Sequence, residues 1–231
     1  MLIDPKSVSK TVDAINAAIF EGHKLPLAER KAAASWLAAR QGLPGAYADT
    51  FAGLASELKR GIVVFTGERI TSASARHILG EEACRVLSLL GVRDRAAQAA
   101  LDRATQGLMA CLKRAEQDPR NDNPGRYCCG KCTVGLWRNV LAGGLDRREE
   151  RLLRGLRHLR SQRDGAGTWR RFPFWYTVLA LSEIDSAEAA KELAYVRPQL
   201  ERAAARAPGS NLYAERRREL AGRALAHVTR G

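Results

Sequence analysis

Three passages of this 231-residue chain share one plan, and that plan limits what the chain can fold into. "VLSLLGVRDRAAQAAL" from Val86, "VLAGGLDRREERLLRGL" from Val140 and "VLALSEIDSAEAAKEL" from Val178 each finish an apolar helix, turn at an acid and open an amphipathic helix. Asp94, Asp146 and Asp185 stand where an N-cap or first-turn carboxylate stabilises the helix that follows. One hairpin of two helices cannot bury its own apolar faces. Pairs recurring every ~40–55 residues therefore stack against one another or close into a circular array.

The remaining segments agree with helix. "PKSVSKTVDAINAAIFEG" sets Val8, Val12, Ile15, Ala18 and Ile19 on one face. "LPLAERKAAASWLAARQG" opens at Pro26 and closes on Gly42, and a short helix is expected around Phe51, Leu54 and Leu58. "SASARHILGEEACRVLSLLG" points Ile78, Leu79, Ala83, Val86, Leu87 and Leu90 inward, and a further helix runs from Arg93 to Ala115. "EQDPRNDNPGR" then interrupts the pattern. Beyond it helices are expected over Cys129–Leu141, Arg147–Arg163, Trp175–Ile184, Ser186–Arg206 and Asn211–Val228. "IVVFTGERI" alone has strand character. Because one strand makes no sheet, it reads as a buried connector. The expected class is all-α, with about ten helices in one domain over residues 1–231. An N-terminal subregion over 1–67 and a repeat-like core over 68–206 subdivide that domain.

No segment approaches the ~20 apolar residues that span a bilayer. The opening "MLIDPKSVSKTVDAINAAIF" lacks the basic start and apolar core of a signal peptide. Five cysteines, an odd number without a secretion signal, point to reduced thiols in a cytoplasmic setting rather than a disulfide framework. The net charge of +13 comes almost wholly from arginine, since eight of the 38 basic residues are lysine. Such an excess permits binding to nucleic acid through phosphates. Here the arginines are spread along the chain, with peaks at "LDRREERLLRGLRHLRSQR" and "AERRRELAGR".

The segment "RGLRHLRSQRDGAGTWRRFPFWYTVLAL" carries Arg154-Gly155, Leu159, Gln162, Gly167 and Trp169 in an order that resembles the QW-type repeat of the α/α-toroid proteins, the terpenoid cyclases and protein prenyltransferases. The similarity covers residues 130–185. It implies an incomplete toroid, with Thr133 and Thr177 beginning comparable inner helices and Gln162 tying a helix end to the next loop under the Trp169 indole. Neither an Asp-x-Asp-Asp proton donor nor an Asp-Asp-x-x-Asp diphosphate motif is present, so the resemblance bears on fold more than on cyclase activity.

"YCCGKCTVGLWR" places Cys128, Cys129 and Cys132 at the start of one of those helices. Three readings stand side by side. Cys129 and Cys132 form a redox dithiol, with Lys131 and the helix N-terminus favouring the thiolate. Alternatively they ligate zinc or an iron–sulfur cluster, completed from His77, Cys84, Cys111 or Asp122; the zinc site of the prenyltransferases lends this reading support by resemblance. In the third reading the cysteines are small packing residues, and Cys128 leans that way. His77 and Glu81, one turn apart, are the candidate proton handlers. Arg126, Trp169, Arg170 and Tyr176 are the candidate ligand-binding residues, from the loop beside the cysteines and the aromatic run "GTWRRFPFWYT". The resulting expectation is a protein that binds or transforms an apolar or anionic small molecule, with a metal at the cysteines. An Arg-rich nucleic-acid-binding module and a Cys-x-x-Cys redox protein are the alternatives.

Overall fold

A computed structural model describes residues 2–118, 125–209 and 211–228. Among them are eleven helices, so the all-α expectation is met: α1 Val8–Phe20, α2 Leu27–Ala38, α3 Ala55–Arg60, α4 Ala73–Leu89, α5 Arg95–Gln117, α6 Gly130–Ala142, α7 Arg148–Ser161, α8 Phe174–Glu183, α9 Ala187–Tyr195, α10 Arg197–Ala204 and α11 Leu212–Val228. None is long and apolar enough to cross a membrane.

Two differences from the sequence reading have local causes. The expected helix over Ser186–Arg206 is broken at Val196 into α9 and α10, where Pro198 occupies the first turn of α10. A proline there has no N–H to donate and its ring crowds the carbonyl four residues back. The connector "IVVFTGERI" is a two-stranded antiparallel pair, β1 Ile62–Val63 and β2 Arg69–Ile70, with Ile62 opposite Ile70. The strand partner lies within the same nine residues, folded back through a turn.

Of the three acids assigned as caps, Asp94 acts as one, its carboxylate accepting from the Ala97 amide at 2.8 Å. In the third passage Ser186, next to Asp185, accepts from the Ala189 amide instead. In the second, Arg147 takes the N-cap position with φ +48°, and Asp146 turns to the Arg151 guanidinium.

Helices α4 and α6 form the central pair. Ser74 meets Cys129, Glu82 meets Arg138 and Ser88 meets the Ala142 carbonyl, so their partners stay 54 to 56 positions apart along the whole contact. The two helices therefore run parallel and in register, at the spacing that separates Val86 from Val140 in the sequence repeat. Helix α6 packs in turn on α8, α8 on α11 and α1 on α4. Arg216 of α11 binds Asp13 of α1 at 2.8 Å and Arg223 stacks on Phe20, so the order α1–α4–α6–α8–α11 returns to its start. Helices α5, α7 and α9 pack outside α4, α6 and α8 respectively. Helix α7 shows why: Leu152, Gly155, Leu156 and Leu159 are buried while Arg148, Arg154, Arg157 and Arg160 are exposed. The ring of Trp137 from α6 lies against Gly155, where a β-carbon would collide with it.

Thr133 and Thr177, in the first turns of α6 and α8, make the same kind of bond. Each hydroxyl donates to the carbonyl four residues back, Cys129 at 2.8 Å and Pro173 at 2.6 Å. The QW-like segment ties α7 to α8 in a different way from that expected. The Arg170 amide donates to the main-chain carbonyl of Gln162 at 2.8 Å, while the Gln162 side chain turns to Ser161. The Trp169 indole N–H donates to Glu192 of α9 at 3.0 Å, and its ring stacks on Phe174.

Candidate functional site at the α4–α6 seam

The parallel register sets α4 side chains against α6 side chains rung by rung, and the chemistry lies at the N-terminal rungs. Cys129 is the N-cap of α6 in extended backbone, and its side chain makes no capping bond. Gly130 follows because the Arg171 carbonyl passes so close that a β-carbon there would strike it. Cys128, one residue earlier, has φ +58°, a left-handed conformation unusual for a residue with a β-carbon. That twist turns its thiol back over the helix mouth. His77 Nδ1/Nε2, Cys128 Sγ and Cys132 Sγ offer donor atoms that all lie within 4.8 Å of one another. Cys129 is outside that set, but its Sγ is 3.6 Å from Cys132 Sγ and 3.5 Å from the Ser74 hydroxyl.

Aromatic rings wall the site on one side. Tyr47 stacks on His77 with ring centres 3.6 Å apart and 20° between planes. The Tyr127 hydroxyl donates to that of Tyr47 at 2.5 Å. His77 Nδ1 is buried and has no hydrogen-bond partner. Burial holds the imidazole below its ordinary pKa, which keeps it neutral and fit to donate a lone pair. Among the thiols, hydrogen bonds from Cys128 and then Cys132 hold Cys129 far below the ordinary range. Cys132 is pushed up by its bonds to Cys128 and Cys129 and then by burial.

One turn deeper, Glu81 is fully buried and neither carboxyl oxygen has a partner. Gly135 of α6 makes room for it, since a β-carbon there would sit 2.5 Å from Glu81 Oε2. Burial, then the neighbouring Glu82 and Cys129, raises its pKa well above the carboxylate range, so it stays a neutral acid.

The next rung is ionic. Glu82 accepts from Arg138, from the Tyr176 hydroxyl at 2.6 Å and from Asn16 at 3.0 Å. Burial pushes Glu82 up, but Arg138 and Arg85 outweigh it and leave the carboxylate below its ordinary value. Glu183 of α8 accepts from Arg138 Nε at 2.9 Å and Arg85 at 2.8 Å, which completes a network across α1, α4, α6 and α8.

The structure thus brings together His77, Glu81, Cys129 and Cys132 from the residues singled out in the sequence. Tyr176 lies one rung deeper, where its hydroxyl donates to Glu82. Trp169 is buried against Glu192 and Phe174, away from the thiols, and Arg170 is exposed on the loop before α8. Arg126 lines a separate groove with Thr133, Arg151 and Arg154. Of the completing ligands considered, Cys84 is buried lower on α4 and Cys111 accepts from Arg114 on α5, and neither belongs to the His77–Cys128–Cys132 set. Asp122 lies outside the described residues. The packing reading of Cys128 is not met, because its side chain is exposed. Tyr47, Ser74 and Gly135 were not singled out; a helical glycine three residues after Cys132 was the one available signal.

Comparison with protein-family models, with characterised proteins and with solved structures gave no significant match.

Proposed function

We propose that this chain is a zinc–thiolate protein of reduced, cytoplasmic surroundings, binding an apolar or anionic small molecule at a metal held between α4 and α6. The observation that carries the reading is the convergence of Cys128, Cys132 and His77 within 4.8 Å. Zinc–sulfur bonds of about 2.3 Å and zinc–nitrogen bonds of about 2.0 Å put tetrahedral donor atoms roughly 3.5–3.8 Å apart, a closure within reach of small side-chain rotations. Coordination would also supply the partner that buried His77 Nδ1 lacks, or fix it through the other ring nitrogen.

Two thiolates and an imidazole leave a fourth position, which in catalytic zinc sites takes water or a ligand. The Tyr47 and Tyr127 rings offer that ligand an apolar wall. The ring order of α1, α4, α6, α8 and α11 supports the reading of a short α/α-toroid, with the site at the N-terminal mouth of two inner helices. The nucleic-acid alternative draws on net charge, whereas Arg147, Arg151, Arg160 and Arg163 of the α7 region all face carboxylates.

The test is metal analysis of untagged protein purified without oxygen, beside Cys132→Ser and His77→Ala. About one zinc per chain, lost in Cys132→Ser and weakened in His77→Ala, is expected. Cobalt substituted for zinc should then show a thiolate charge-transfer band. Absence of metal together with failure to take up added zinc overturns the proposal. Iron with a brown chromophore would replace zinc by an iron–sulfur cluster.

A further inference from the structure

The zinc set leaves one thiol over, and the fold has put that thiol beside a ligand. We infer that Cys129 is a hydroperoxide-reactive thiol whose oxidation takes Cys132 away from the metal and empties the site. The inference rests on the zinc reading for its consequence, and on geometry of its own for the reaction.

Four features mark Cys129 as the reactive partner of Cys132. It is half-exposed, whereas Cys132 is fully buried. It is the N-cap residue of a 13-residue helix, yet its sulfur takes no part in capping and stays available at the helix mouth. The Ser74 hydroxyl lies 3.5 Å away and can donate to the sulfur. Finally, its sulfur is already 3.6 Å from that of Cys132, so a disulfide of about 2.05 Å requires the two atoms to approach by roughly 1.6 Å.

The chemistry balances with a hydroperoxide as oxidant. The Cys129 thiolate attacks the outer oxygen of the peroxide, the O–O bond breaks, and the departing oxygen leaves as alcohol, or as water from hydrogen peroxide, with the proton that Cys129 gave up. Cys129 is then a sulfenic acid. The Cys132 thiolate attacks its sulfur, the S–S bond forms, and hydroxide leaves as water with a proton from solvent. Two thiol sulfurs lose two electrons, which the peroxide accepts, and zinc departs with its charge unchanged. Cys128 and His77 remain as two donors, too few for a structural or catalytic zinc site.

Zinc-loaded protein is titrated with hydrogen peroxide while an indicator reads free zinc, a thiol reagent counts cysteines and peptide mapping locates the disulfide. One equivalent should release the bound zinc, consume two thiols and join Cys129 to Cys132, and dithiothreitol should restore binding. Cys129→Ser keeps the size of the side chain and all three zinc donors; it should load zinc and release it at least about tenfold more slowly. Release from Cys129→Ser at the wild-type rate, or a disulfide joining Cys128 to Cys132, overturns the inference and leaves the zinc reading standing. A chain that never binds zinc defeats the zinc reading instead; mapping on the same peroxide-treated sample still shows whether Cys129 and Cys132 pair.

Discussion

Replacing Glu81 by glutamine gives a sharp test of the seam, because the two side chains have the same size and differ in whether they can ionise. In the folded chain Glu81 is fully buried with both oxygens unpartnered, and burial, Glu82 and Cys129 all oppose its charge. Unfolding releases it to water, where a carboxyl returns to about 4.5. The folded pKa is therefore the higher one. Below about pH 4.5 both states are protonated and Glu81 adds no pH dependence. Above it the unfolded chain sheds the proton while the folded chain keeps it, and stability is lost as pH rises towards the folded pKa. One proton bound in excess by the folded state lowers stability by about 1.4 kcal/mol per pH unit. Between pH 5.5 and 7.5 the wild-type protein should thus lose up to about 2.7 kcal/mol relative to Glu81→Gln. For a chain of this size each kcal/mol corresponds to roughly 2–4 °C in Tm. Groups common to both proteins, including Glu82, Tyr176 and His77, cancel in the difference. The assay is urea unfolding followed by far-UV circular dichroism at pH 5.5, 6.5 and 7.5, on metal-free, reduced protein. A stability difference that does not change with pH would refute the reasoning, since Glu81 would then be ionised or hydrated in the folded state.

Further outcomes follow from neighbouring rungs and joints. Gly135→Ala should destabilise by about 1–3 kcal/mol in urea melts, despite alanine's better helix propensity, and should be tolerated in a Glu81→Ala background where the clashing carboxyl is gone. Arg138→Met takes the guanidinium from buried Glu82 and leaves Glu183 to Arg85 alone, and should cost about 3–5 kcal/mol by the same assay. Trp169→Phe removes the indole bond to buried Glu192 and should lower stability by about 1.5–3 kcal/mol while leaving zinc content unchanged. Asp94→Ala should lose about 1 kcal/mol of capping, whereas Asp185→Ala should leave thermal stability nearly unaltered because Ser186 is the cap.

Much of this fold was legible because a helix writes its buried face into the sequence every 3.6 residues. The bounds expected for α6 and α8 fall within a residue of those observed, and those for α7 within two. Where the reading departed, a different kind of information was needed. The break at Val196 depends on one proline inside an otherwise sound periodic run. The β1–β2 pair has two residues per strand, too few to show alternation. At the seam, sequence spacing selected Cys129 and Cys132 as a pair, as i and i+3 on one helix. It could not select Cys128, whose thiol joins His77 through a left-handed turn that periodicity does not encode. Tyr47 comes from a loop with no local signal, and stacks on His77 only after α2, α4 and α5 have assembled. Trp169 was a candidate ligand-binding residue from the aromatic run before α8, yet its indole partner is Glu192, twenty-three residues later in the chain.

The bond between Arg216 and Asp13 joins residues 203 positions apart, nearly the full reach of the chain. Helix α11 is synthesised after every element it must touch, so a growing polypeptide carries α1 and α8 with apolar flanks uncovered until the last stave arrives. The α4–α6 seam has no such wait, since its partners are about 55 residues apart. Thiols and imidazole should accordingly meet while the ring is still open, and closure by α11 should be the slow step, governed by the entropy of drawing distant segments together. Conditions that delay that step leave exposed the surfaces through which one chain adheres to another. Early metal capture at the seam would give the nascent molecule an ordered half on which the remainder can settle.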